Sequence, residues 1–106
     1  MAWVYLLIAG AFEITCTTIF RFTDGMTRIV PTVSFFVIGF ISFYFLNKSL
    51  SGIPLGTAYA VWTGIGAAGT ALIGIVYYHE PATLMRLVFL TTLIGSIAGL
   101  KFVAGE

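Results

Sequence analysis

Residues 2–20, AWVYLLIAGAFEITCTTIF, decide the reading of the whole chain. The stretch is long enough to cross hydrocarbon as a helix, which takes roughly 17–25 apolar residues. Its only charged side chain is Glu13. A carboxylate at membrane depth costs about 2.5–3.5 kcal/mol on insertion scales, and a residue kept at that cost marks a functional site by default. The stretch lacks the basic leading region of a signal peptide, and Glu13 interrupts what would be its apolar centre. It therefore reads as a retained helix.

Three further apolar stretches follow, at residues 29–46, 55–78 and 84–103. The second and third stretches of the chain carry no charge, and the fourth has Arg86 and Lys101 only near its ends, where long basic side chains reach the interface. Only 8% of the 106 residues are charged, against roughly 25% in a soluble domain. The expectation is an all-α membrane protein of four transmembrane helices, one domain over residues 1–106. Turn chemistry fills the connections: Thr23-Asp24-Gly25 after the first helix, Pro31 in the first turn of the second, Ser51-Gly52 before the third, and His79-Glu80-Pro81 before the fourth. Asp24, Glu80 and Glu106 read as solvated ends, and Arg86 as a headgroup anchor.

Several function classes fall away. The single cysteine, Cys16, excludes an internal disulfide, and no Cys/His cluster suggests a metal. A net charge of +1 offers no surface for nucleic acid. No nucleophile–base pair or phosphate loop suggests an enzyme. With four spans, Arg21, Arg28 and Arg86 lie on one side of the membrane and Lys48 and Lys101 on the other, a weak bias. Either the chain inserts both ways round, or the small excess fixes one orientation and an oppositely oriented partner exists.

At helical spacing the neighbours of Glu13 are Ala9, Gly10, Cys16 and Thr17, all small, so the carboxylate is accessible. No Lys or Arg lies at its depth. Ser42, Tyr59 and Thr63 are the hydroxyl partners on offer. Without a fixed cation, Glu13 must hold a proton or bind a mobile cation, and is poised to exchange one for the other. Tyr59, Trp62 and Gly66 share a face of the third helix, and an aromatic beside a carboxylate suits a cation. Gly64, Gly66 and Gly69 allow either a bend or close helix packing. Gly95-Ser96-Ile97-Ala98-Gly99 spaces two glycines for close approach of a second copy. The second helix is rich in aromatics (Phe35, Phe36, Phe40, Phe43, Tyr44 and Phe45), most of which are expected to face lipid or other helices and not substrate, and Cys16 is expected to be a packing residue.

These residues resemble a known family, the small multidrug resistance transporters. The resemblance is carried by Ala9-Gly10-Ala11-Phe12-Glu13, by residues 53–62 (IPLGTAYAVW) and by Gly99-Leu100-Lys101, and it runs the length of the chain. Trp62-Thr63-Gly64-Ile65-Gly66 and the closing Gly-Leu-Lys look like the guanidinium-exporter branch. The resemblance implies an antiparallel, dual-topology dimer in the inner membrane of a bacterium. That dimer would exchange protons for small organic cations by alternating access, without a cofactor. It implies that Glu13 from each subunit binds substrate or proton, that Gly10, Ser42, Tyr59 and Trp62 line or gate the site, and that Lys101 helps define the subtype. Helix one departs from the branch, which has Trp at the position of Cys16, Ala at Thr17 and Lys at Arg21. The alternatives are a broader quaternary-ammonium exporter, one subunit of a pair with a paralogous chain, or a non-transporting membrane subunit.

Overall fold

Once water is excluded, a chain must satisfy its backbone polar groups internally, and a helix does so within one segment. The computed structural model describes residues 1–104 and shows four such helices: α1 (Ala2–Phe20), α2 (Ile29–Ser49), α3 (Leu55–Tyr77) and α4 (Leu84–Ala104). All four are long and apolar enough to cross a membrane. No strand occurs among the described residues. The reading of Glu106 as a solvated end, and the last two residues of the expected domain, lie outside the described residues.

Helix ends follow local chemistry. α2 runs a turn beyond residue 46, through Asn47, Lys48 and Ser49. Ser49 is buried and its hydroxyl donates to the Leu46 carbonyl at 2.6 Å. That bond satisfies one of the carbonyls a helix end leaves open. α3 stops at Tyr77, because Tyr78 leaves the helical region and His79 takes a left-handed φ of 56°. After α1, a short 3-10 turn (Arg21–Thr23) leads into Asp24, Gly25 and Met26, all with positive φ. Of these three, only Gly25 adopts that conformation without a Cβ penalty.

α1 is the centre of the arrangement, packed most extensively against α2 and then α3. The backbone of α4 approaches α3 alone. The core joins Trp3, Leu6 and Ala9 of α1 to Leu46 of α2 and to Ala58, Val61 and Trp62 of α3. The molecule measures 42 × 35 × 17 Å. Its thinnest dimension is less than two helix diameters of roughly 10–12 Å. A single copy is therefore a slab, with its grooves open along the sides.

Candidate functional site

Glu13 lies against Gly66, where α1 packs on α3. A Cβ added at Gly66 would stand 2.6 Å from Glu13 Cγ, so the absence of a side chain there makes room for the glutamate. Gly10, one turn earlier on α1, meets Ile65 of α3 in the same way, at 2.6 Å. Gly69 seats Ile14, and Gly64 seats Leu93 and Ile97 of α4. The α3 glycines therefore serve close packing within an unbroken helix.

Ser42 ties three helices together. Its hydroxyl donates to the Ala9 carbonyl at 2.7 Å and accepts the Trp62 indole N–H at 2.8 Å, with no exposure to solvent. Trp62 is thereby fixed, its ring flanked by Phe43 at 5.0 Å and Tyr59 at 5.6 Å. Ser42→Ala removes the acceptor and leaves the buried indole N–H unpaired. We expect a loss of about 1–2 kcal/mol, read as a lower unfolding temperature in detergent, with Ser42→Thr less affected.

Two cavities meet at Glu13, Thr17 and Trp62. The first, about 620 Å³, opens between α1 and α2 and is walled by Cys16, Phe35, Phe36, Gly39, Phe40 and Phe43. The second, about 570 Å³ and more polar, is lined by Tyr59, Thr63, Gly66, Thr70, Glu80 and Arg86 among others. Of the hydroxyl partners expected for Glu13, Ser42 is turned to Trp62 and Ala9, whereas Tyr59 and Thr63 line the second cavity. Among the described residues the Glu13 carboxylate takes part in no hydrogen bond or ion pair. Thr17 donates to the Glu13 backbone carbonyl, at 2.9 Å.

Most of the six α2 aromatics were expected to face away from the site, but four of them, Phe35, Phe36, Phe40 and Phe43, wall the first cavity. The signal available was Gly39 among them. Cys16 is buried, its Sγ 3.4 Å from the Phe35 carbonyl, and a Cβ at Gly39 would stand 3.3 Å from that sulfur. Glu80 and Arg86, read as a solvated end and a headgroup anchor, keep partly exposed side chains. Their side chains form an ion pair at 2.7 Å on the second cavity, because the α3–α4 turn folds Glu80 back over α3. Lys101 lines neither cavity, and its ammonium lies 5.4 Å from the Trp3 ring centroid. Gly95 and Gly99 also stand apart, on an exposed face of α4 where an added Cβ meets nothing within 4 Å.

Four helices long and apolar enough to cross a membrane, with a carboxylate midway along the first, define a multi-pass membrane protein. The sequence profile of the Small Multidrug Resistance proteins matches residues 1–93, and the chain belongs to that family. The guanidinium exporter of Proteus vulgaris is 41% identical over 101 residues, covering 95% of this chain and 97% of its own length. Those of Yersinia pseudotuberculosis and Salmonella typhimurium are 42% and 41% identical over the same share of this chain and 97% and 96% of their own. The resemblance read from Ala9–Glu13 motif residues and the 53–62 segment is thus established at the level of the family.

Proposed function

We propose that two copies of this chain form an antiparallel dimer in the bacterial inner membrane and export guanidinium or small substituted guanidinyl cations in exchange for protons. The observation that carries this reading is Glu13, a carboxylate without a fixed cation at the junction of two cavities. The names of the relatives supply the substrate class. The planar N–H fork of a guanidinyl cation matches a carboxylate pair. Protons and cation compete for the same oxygens, so exchange follows from mutual exclusion.

The slab form supports assembly. Grooves open along the side of a 17 Å layer need a second layer to enclose them, and the Gly95–Gly99 face is free to receive one. In the assembled protein Ser42 holds Trp62 as a fixed wall. Tyr59, 54% exposed, is the mobile hydroxyl that changes partners as access alternates. Gly10 sets the α1–α3 spacing beside Glu13, and Thr17 and Thr63 tune the cavity linings. Coupling draws on the proton gradient and needs no cofactor.

The test is a comparison of guanidinium and tetrapropylammonium currents on solid-supported membranes, with the chain reconstituted alone. Larger guanidinium currents are expected. Larger tetrapropylammonium currents would favour the broader exporter, and currents from neither would favour a paired or non-transporting subunit.

One observation favours a second reading, that bulkier cations are also carried. The first cavity is almost wholly apolar and is open beside the small Cys16 side chain. Cys16→Trp would fill that space. Currents of tetrapropylammonium and of long-chain alkylguanidinium are expected to fall about five- to thirtyfold, while guanidinium is spared. The aromatic wall contributes affinity through cation–π and apolar contact, so filling it removes about 1–2 kcal/mol for the bulky ions alone. Equal losses for all cations would count against the cavity as their site.

A further inference from the structure

Two carboxylates line the second cavity. One is Glu13; the other is Glu80, in the α3–α4 turn. The structure builds the position of Glu80 with some care. Its backbone N–H donates to the Gly74 carbonyl at 3.1 Å, following the left-handed His79. Its carboxyl group lies against Gly74, where an added Cβ would stand 2.5–2.6 Å from the carboxyl atoms. Arg86 donates from one terminal nitrogen to Glu80 Oε1 at 2.7 Å and from the other to the Pro81 carbonyl at 2.8 Å.

Glu80 is thus already engaged by a guanidinium group, the head group assigned above to the substrate. Both partners are partly exposed, Arg86 at 31% and Glu80 at 40% of the side chain. An ion pair so placed is weak enough to exchange. The rest of the lining sets the hydroxyls of Thr17, Thr63 and Thr70 among Gly66, Ala67 and Ala71. Thr17 and Thr70 line this cavity and also a smaller one of about 80 Å³ that reaches Glu80, Arg21 and Tyr78. The Thr70 hydroxyl is buried without a hydrogen-bond partner. Arg21, the other cation facing this end, is stacked on the Tyr78 ring at 3.8 Å.

We propose that Glu80 is a second, transient site for guanidinyl cations at the loop end of this cavity, where the substrate displaces the Arg86 side chain from a carboxylate seated on Gly74. The cation then passes between Glu80 and Glu13 along the threonine-lined wall. This inference rests on the guanidinyl reading of the substrate. It adds a station to the route and makes Arg86 an internal competitor for it.

The test follows the side-chain carboxyl carbons of ¹³C-labelled glutamate in protein reconstituted in lipid nanodiscs, with resonances assigned by single Glu→Gln variants. In Glu13→Gln protein, the Glu80 resonance is expected to shift saturably with guanidinium chloride and to stay fixed with tetramethylammonium chloride, which has no N–H. Adding Arg86→Gln is expected to lower the half-saturating concentration about two- to fivefold, in keeping with a partly exposed pair. Gly74→Ala, which keeps every charge but displaces the carboxyl group, is expected to raise it. Should Arg86→Gln not fold, the Glu13→Gln titration alone decides. A silent Glu80 beside a responsive wild-type Glu13 overturns this site and leaves the substrate reading intact. Silence at both carboxyls overturns the two together.

Discussion

Replacing Glu13 by Gln is expected to abolish proton-driven guanidinium uptake into inverted vesicles while leaving the fold intact. Gln keeps the size of the side chain that nests against Gly66, so packing between α1 and α3 is preserved. It removes both the site's charge and the group that protons and cation contest. Losing a desolvated charge partner costs about 2–5 kcal/mol, which is a fall in affinity of roughly 30-fold or more. Proton release on adding substrate should vanish with it. Full uptake by the variant, or substrate-dependent proton release that persists, would remove Glu13 from the mechanism.

The second large effect concerns architecture. Gly69→Val is expected to push α1 away from α3, because even a single added carbon at that position runs into the side chain of Ile14. Overpacking of this kind costs about 1–3 kcal/mol and sometimes more. The variant should unfold at a markedly lower temperature in detergent and lose substrate binding. Ile14→Ala empties the space the valine needs. Combined with Gly69→Val it should recover much of the loss, with a coupling of about 1 kcal/mol or more. If the two changes simply add, the helices do not meet at this point.

Membrane helices and their order were legible because composition alone separates a lipid-spanning segment from a soluble one. Glu13 was legible for the same reason, as a charge where none is expected. The roles of neighbouring residues were harder to read. A helix that is apolar all round, such as α2, gives no amphipathic signal to say which face turns inward. Phe36, Phe40 and Phe43 therefore looked alike with Tyr44 and Phe45, although the first three wall a cavity and the last two do not line it. Ser42 stood out as a hydroxyl at the right depth. Its partner, however, is Trp62, and only the three-dimensional crossing of α1, α2 and α3 brings Ala9, Ser42 and Trp62 together. The pairing of Glu80 with Arg86 escaped because a turn intervenes, so helical spacing rules do not apply across the six residues. The glycines of α3 gave two readings, bend or contact, and the seats for Glu13, Ile14 and Ile97 supply the contacts.

The indole of Trp62 borders both cavities and is held by a bond to a side chain that solvent does not reach. The only other tryptophan, Trp3, is equally buried but sits at the start of α1, next to Lys101 and outside both cavities. The native chain thus carries a pair of fluorophores, one bordering both cavities and one as an internal reference. Emission from the Trp3→Phe variant is expected to respond when either cavity is occupied, and emission from the Trp62→Phe variant to ignore it. Binding can therefore be followed optically without attaching a label.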